Sequence, residues 1–272
     1  MSTATRIWTE KHADMSHGKT RYWEAGTGYP TILVHGVGWT SGPEHWVLNI
    51  GPLADANLRV LAPDCLNWGT GDIFDQEFSF AYIVDHIREF MDVLGIDKAN
   101  FIGHSMGGWL VTLLAYESPD RVNKLVNVDG GGTATRPLQT MVEFQVPEPD
   151  QIRQQLGARA NKAGMDVDEL ASAALKKREL PGHGEAFAKV MRHMSNPLTR
   201  QRYNTLRRLP HIKAPTLVIW GRDDQVNALE MGETTARGIP GARLIVYDGV
   251  GHAPPHEHTE QFNRDVIEFL TK

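Results

Sequence analysis

The sequence predicts an α/β fold, a mostly parallel central sheet flanked by helices, with a helical insertion between its two halves. Three observations lead there. Short apolar runs of strand length alternate with segments of helical period from Thr31 to Asp129 and again after Pro210. Between them, from Thr133 to Leu209, strand-like runs disappear and helical stripes take over. At the centre of the first half lies Gly103-His104-Ser105-Met106-Gly107, with Ala99-Asn100-Phe101-Ile102 before it and the apolar run Gly108 to Tyr116 after it. A strand that passes straight into a helix must turn sharply. Glycines two residues either side of Ser105 permit the turn, because a Cβ at either place would crowd the crossing backbones. The expected organisation is a core of residues 1–132 and 210–272 and a helical cap of residues 133–209.

Taken in order, Arg6 to Glu24 alternates loosely around Ser16-His17-Gly18-Lys19, which suggests a β-hairpin. Gly26 to Pro30 reads as loop, and Thr31-Ile32-Leu33-Val34 as a buried strand ending at His35-Gly36-Val37-Gly38. A helix is expected over His45 to Ala54, then a strand over Leu58 to Ala62 stopped by Pro63-Asp64, then loop from Cys65 to Phe74. Phe80, Ile83, Val84, Ile87, Phe90, Met91 and Leu94 recur at helical spacing and predict an amphipathic helix to about Gly95. Leu125 to Val128 is a strand closing at Asp129. In the insertion, Gln151 to Ala160, Val167 to Lys177 and Ala186 to Met194 read as helices punctuated by prolines. Pro215 to Trp220 and Arg243 to Tyr247 are the last strands, and Phe262, Val266, Phe269 and Leu270 mark a C-terminal helix. Such alternation means parallel strands joined by crossover helices.

The chain has 272 residues, 41% hydrophobic and 22% charged, enough to bury a large core without disorder. A net charge of -5 with no basic stripe argues against a general phosphate-backbone binder. The one cysteine, Cys65, permits no intrachain disulfide, which fits a reducing compartment. No apolar run approaches the roughly 18 residues of a membrane span, and Met1 to Glu10 has no signal-peptide core. A cytoplasmic protein with a small-molecule substrate is expected, with neither nucleic acid nor membrane as partner; a homodimer stays open.

In a parallel sheet the loops at the strand C-terminal ends form the ligand crevice. Four such loops carry His35-Gly36-Val37-Gly38, Ser105, Asp223-Asp224 and His252. A serine hydroxyl is a poor nucleophile without an adjacent base, and an imidazole, with an ordinary pKa of roughly 6.5, suits that role. The imidazole needs a carboxylate on its other nitrogen, and the developing oxyanion needs backbone N–H donors. Each group also has a plainer reading. Ser105 could cap the following helix. His252, His256 and His258 could form a metal site, although no carboxylate motif accompanies them; the latter two are expected to be solvated. Asp129 is the rival acid, Asp223 a turn residue, Asp64 a loop anchor, His35 a brace for its own turn, and Cys65 a small apolar side chain.

The order Ser, Asp, His with the glycine elbow resembles the α/β-hydrolase superfamily across nearly the whole chain. The resemblance implies Ser105 as nucleophile, His252 as base and Asp224 as acid, with oxyanion donors at the N–H of Met106 and of Val37, Gly38 being the alternative to Val37. Gly36, Gly38, Trp39, His104 and Trp68 are the expected substrate-pocket residues. No cofactor and no metal are implied. Within the superfamily, Trp220-Gly221-Arg222-Asp223-Asp224 and Glu260 to Ile267 are similar to the meta-cleavage-product hydrolases and their esterase relatives. His104 stands where those enzymes usually carry Asn, and Ala253 where a Trp often follows the histidine. Their lid usually offers an arginine to the dienoate carboxylate, for which Lys176, Lys177 or Arg178 would substitute here.

The leading expectation is therefore hydrolysis of a carboxylic ester or similar carbonyl compound through an acyl-enzyme. Carbon–carbon hydrolysis of the meta-cleavage type is the alternative, followed by a cofactor-free lyase or dioxygenase and by a small-molecule receptor on the same scaffold.

Overall fold

The computed structural model describes residues 7–272. Of the predicted hairpin, Arg6 lies outside the described residues. The rest forms β1 (Thr9–Met15) and β2 (Gly18–Ala25), paired antiparallel from Thr9 opposite Glu24 to Met15 opposite Gly18. β3 (Tyr29–Val34) begins within the segment expected to be loop, because Tyr29 and Pro30 take register against Leu58 and Arg59 of β4 (Leu58–Pro63). The helix expected over His45 to Ala54 is instead a 3-10 turn at Pro43–Trp46 followed by the short α1 (Ile50–Asp55). Pro52 can sit only in a first turn, since it lacks an N–H, and so it marks where the true helix starts.

α2 (Phe80–Val93) buries its predicted stripe and is capped by Ser79, whose Oγ accepts the Ala81 N–H at 3.3 Å. β5 (Ala99–His104) and α3 (Met106–Glu117) flank Ser105, and every residue of α3 from Met106 to Ala115 is buried, as its all-round apolar sequence requires. β6 (Val122–Val128) comes next. The helical segment then comprises α4 (Gln139–Val142), α5 (Pro149–Ala163), α6 (Val167–Glu179), α7 (His183–Ser195) and α8 (Pro197–Tyr203). α5, α6 and α7 contain the three predicted helices. α4 and α8, of 4 and 7 residues, are too short for periodicity to reveal. β7 (Thr216–Gly221) leads to α9 (Leu229–Gly238), also unforeseen, and then come β8 (Arg243–Tyr247), α10 (Pro254–Glu257) and α11 (Thr259–Thr271).

The sheet runs β1-β2-β4-β3-β5-β6-β7-β8. β2 is antiparallel to both of its neighbours, β1 and β4, whereas β3 through β8 are mutually parallel. The site loops leave β3, β5, β7 and β8, and β5 sits between β3 and β6. Ser105 is therefore flanked by the turn after Val34 on one side and Asp129 on the other. The central strands are buried on both faces, which accounts for their uninterrupted apolar runs.

One core feature has no sequence signature. Arg21 of β2 is buried between Asp64, at the end of β4, and Glu44 of the 3-10 turn: Nε donates to Asp64 Oδ2 at 2.8 Å and Nη1 to Glu44 Oε1 at 2.6 Å. The antiparallel register of β2 and β4, with Tyr22 opposite Pro63, brings these groups together. Among the described residues no helix is long and apolar enough to cross a membrane.

Candidate active site

The turn between β5 and α3 is tight because it carries no side chain at its crossings. A Cβ on Gly107 would lie 2.0 Å from the Val34 carbonyl oxygen, and one on Gly103 would lie 2.4 Å from the Gly107 carbonyl oxygen. Ser105 pays for the turn with φ 54 and ψ -111, a conformation that L residues rarely adopt. It occupies the N-cap position of α3, yet its side chain makes no capping bond. The hydroxyl instead meets His252 Nε2 at 2.9 Å, which removes the capping reading.

His252 lies in the loop between β8 and α10. Its Nδ1–H donates to Asp224 Oδ2 at 2.7 Å, so the ring bridges hydroxyl and carboxylate. The other Asp224 oxygen accepts the N–H groups of Val226 (2.7 Å) and Asn227 (3.0 Å), which hold the carboxylate plane. Asp223 is exposed and donates its backbone N–H to the Val250 carbonyl, as a turn residue would. Asp129 is buried beside them but makes other bonds. Its Oδ1 accepts the Gly221 N–H at 3.0 Å, its carbonyl accepts the Asn227 amide at 2.7 Å, and its Oδ2 has no partner. Burial, reinforced by the nearby Asp224, raises its carboxyl well above the ordinary carboxylate range.

The turn after β3 passes directly against the serine. A Cβ on Gly36 would sit 3.2 Å from Ser105 Cβ and 3.1 Å from His104 Nδ1, so any larger residue would push on the serine or on His104. His35 braces this turn, as expected. Its Nδ1–H donates to the Gly36 carbonyl at 2.8 Å and its Nε2 accepts the Cys65 N–H at 3.0 Å. Burial pushes its pKa down to about 4, which keeps the ring neutral for that acceptor role. Among the described residues neither the Val37 nor the Met106 N–H is taken by an acceptor, and Met106 is the first residue of α3, where N–H groups are intrinsically unpaired. Both are available to a developing oxyanion. Cys65 is buried, and burial raises its thiol far above the reactive range.

A cleft of about 730 Å³ opens beside this turn, with Val37, Gly38 and Trp39 on one wall and Met141, Phe144, Phe187 and Met191 of the helical segment on the other. Trp68 stands behind the turn; its indole N–H donates to the Gly38 carbonyl at 3.0 Å and its ring meets Phe187 edge-on at 5.1 Å. Lys177 reaches inward from α6. Its Nζ donates to the Trp39 carbonyl at 2.7 Å and lies 4.1 Å from the Trp39 ring centroid. Burial lowers its pKa to about 7, opposed by Asp64 and Glu44. Lys176 is exposed, and Arg178 is exposed and paired with Glu148, so Lys177 alone of the three flagged cations faces inward.

Two expectations need correction. His104 is not a pocket-wall residue. It is buried behind His252, donates Nε2–H to the His252 carbonyl at 2.6 Å and stacks on His45 at 4.7 Å. A side chain that alternates away from the elbow points into the sheet, not into the cleft. Nor is His256 solvated: its Nε2–H donates to the His45 carbonyl at 2.7 Å, and burial lowers its pKa to about 3. His258 is exposed, so the three histidines do not converge on a metal. His104, Asp129 and His252 do place ligand atoms within 4.8 Å of one another. However, both His252 nitrogens and His104 Nε2 are already engaged in hydrogen bonds. Asn227, His45 and Arg200 of α8 complete the surroundings, and no motif announced them.

Known proteins share this arrangement. A family model described as the alpha/beta hydrolase family matches residues 31–265. A 2-hydroxy-6-oxononadienedioate/2-hydroxy-6-oxononatrienedioate hydrolase from Paraburkholderia phymatum is 32% identical over 98% of each chain. A 2-hydroxy-6-oxo-6-phenylhexa-2,4-dienoate hydrolase from Comamonas testosteroni is 32% identical over 94% of this chain and 93% of its own. The solved meta-cleavage product hydrolase CumD from Pseudomonas fluorescens, complexed with acetates, superposes with a TM-score of 0.78 at 29% identity, covering 96% of this chain and 97% of its own. The strand order, the glycine elbow and these full-length likenesses agree: the chain belongs to the alpha/beta hydrolase family and is a hydrolase of its serine-elbow kind.

Proposed function

We propose that this enzyme hydrolyses a carbon–carbon bond in a 2-hydroxy-6-oxo-dienoate, the meta-cleavage-product reaction, with Ser105, His252 and Asp224 as its catalytic groups and residues 133–209 as a cap over the substrate. The supporting observation is Lys177: a buried ammonium at the cap–core seam, beside the turn that carries the expected oxyanion donor Val37. A dienoate would bring a carboxylate toward that cation, which an ester of a neutral alcohol would not. The full-length relatives named for this chemistry point the same way, which reverses the order of the two reactions expected from sequence.

In this reading His252 first moves the 2-hydroxyl proton along the conjugated chain, turning the enol into a ketone that can accept electrons. The Ser105 hydroxyl then adds to the 6-carbonyl, passing its proton to His252 Nε2, while the Val37 and Met106 N–H groups take the oxyanion. Collapse breaks the bond between C5 and C6. Its electron pair passes along the conjugated chain to the C2 oxygen as a dienolate, and the imidazolium returns its proton to that oxygen, giving the dienol. Water, activated by the same imidazole, releases the acid from Ser105. Asp224 keeps the ring in the tautomer that each step needs.

Ester hydrolysis remains the second reading, favoured by Ala253 and His104 at the positions where the resemblance expects Trp and Asn. Turnover of a 2-hydroxy-6-oxo-6-phenyl dienoate, monitored by loss of its dienolate absorbance, should exceed that of p-nitrophenyl butyrate in kcat/KM. Ser105→Ala should lower it by roughly 10⁴-fold or more. Hydrolysis of the ester alone would overturn the carbon–carbon reading in favour of an esterase.

A further inference from the structure

His252 lies beyond the end of the sheet. β8 stops at Tyr247, and the stretch from Asp248 to Ala253 leaves the strand ladder. Backbone groups in such a stretch need other partners. Three of them, on consecutive residues, are taken by side chains. The Gly251 N–H donates to Glu257 Oε2 at 2.7 Å, and the Ala253 N–H donates to Glu257 Oε1 at 2.9 Å. The His252 carbonyl between them accepts Nε2–H of His104 at 2.6 Å. One carboxylate thus straddles the histidine and holds the residue on each side of it.

Helix capping alone does not account for this. Ala253 is the N-cap of α10, and a first-turn glutamate can reach back to its N-cap N–H. That uses one oxygen. The other goes to Gly251, two residues before the N-cap and outside the helix. Glu257 is itself tied to the helical segment: Lys162 of α5 donates from Nζ to the neighbouring His256 carbonyl at 2.6 Å. The same loop is set against the loop of the acid. The Asp223 N–H donates to the Val250 carbonyl at 2.9 Å, and a Cβ on Gly221 would lie 1.9 Å from the Gly251 carbonyl oxygen. Through His104, the residue next to Ser105, it is also set against the elbow.

We infer that Glu257 is a positioning residue for the catalytic base: its carboxylate, with His104 as a third point of attachment, holds the His252 ring between Ser105 and Asp224. The inference rests on the assignment of His252 as base, and it applies to either reaction considered above. The ring must keep 2.9 Å to Ser105 Oγ and 2.7 Å to Asp224 Oδ2 at once, which leaves little room for backbone drift. A carboxylate brings an acceptor oxygen to each N–H. An amide brings one oxygen, and its NH2 would face the other N–H. Glu257→Gln therefore keeps the size of the side chain and breaks half of the grip. Glu257 makes no bond to substrate.

The test compares Glu257→Gln with Glu260→Gln, which removes the same charge from the first turn of α11. The substrate is whichever of the dienoate and p-nitrophenyl butyrate the wild type turns over. Glu257→Gln should lower kcat roughly 10- to 100-fold and leave KM within about twofold, whereas Glu260→Gln should match wild type. Glu257 is exposed, so water can replace the lost bond, and Glu257→Gln should melt within roughly 3 °C of wild type. The second readout is the low-field proton NMR resonance of His252 Nδ1–H in its bond to Asp224. It should be lost in Glu257→Gln and kept in Glu260→Gln; if the wild type turns over neither substrate, this resonance decides alone. A kcat within about threefold of wild type with the resonance intact would overturn the inference. So would a melting temperature more than about 10 °C lower with kcat restored on cooling, which would make Glu257 structural. His252→Ala separates the two claims. Near-wild-type turnover in that variant would overturn the assignment of the base, whereas its inactivity beside a fully active Glu257→Gln would overturn the positioning role alone.

Discussion

Two aspartates compete for one role, and their hydrogen bonds separate them. Asp224 accepts two backbone N–H groups and the imidazole N–H of His252, so both of its oxygens are engaged and one of them faces the ring. Asp129 accepts one N–H and keeps one oxygen bare in the interior. Its raised pKa means that the folded protein holds a proton there which the unfolded chain loses at lower pH. Its contribution to stability is therefore present in acid and lost as pH rises through the folded pKa. Asp129→Asn should accordingly keep most activity and match or exceed wild-type stability at pH 8, measured by thermal unfolding. Asp224→Asn should reduce kcat by about 10³-fold or more. Equal losses in the two variants would mean that the acid role is shared.

The element that shapes the site is the β5–α3 elbow, and its glycines act through backbone crowding rather than flexibility. Gly107→Ala would place a methyl group 2.0 Å from the Val34 carbonyl oxygen, in a central strand with no room to retreat. The substitution should cost at least about 3 kcal/mol and lower the melting temperature by several degrees. A variant that melts with wild type would show that β3 can move away. Gly164, with φ 64 at the end of α5 and open space around it, is the contrast: there the conformation rather than a neighbour selects glycine.

Across the molecule, core and helical segment meet through polar contacts between distant parts of the chain, three of which lie near the cleft and α2. The Trp39 indole donates to the Ala174 carbonyl, Lys177 returns a bond to the Trp39 carbonyl, and His193 accepts the Phe80 N–H. Lys177 links this seam to pH. Its folded pKa of about 7 lies below the ordinary lysine value, so the unfolded chain binds the proton more tightly between them and stability should rise as pH climbs from about 7 toward 10. Substrate binding should move the opposite way, since a neutral amine no longer attracts a carboxylate. On the alkaline side, kcat/KM for a dienoate should decline above about pH 7, and Lys177→Met should remove that limb while lowering the plateau. An unchanged alkaline limb in Lys177→Met would assign it to another group.

What the amino-acid sequence determined by itself was local and periodic. Apolar runs of strand length, the helical stripes and the glycines around Ser105 each act within a few residues, so the alternating α/β order and the elbow were legible before any coordinates. Short helices such as α4 and α8 escaped because fewer than two turns leave no period to read. Tertiary structure alone decided that Asp129 turns its carboxylate to the Gly221 N–H, that His104 lies behind the imidazole instead of beside the substrate, and that Arg21 meets Asp64 and Glu44. It also decided which of three neighbouring cations turns inward and that Arg200 is buried without an anion. These outcomes depend on strand order and on how a helical segment lies over the sheet, and electrostatic pairing between groups tens to hundreds of residues apart leaves no spacing in one sequence for periodicity to detect.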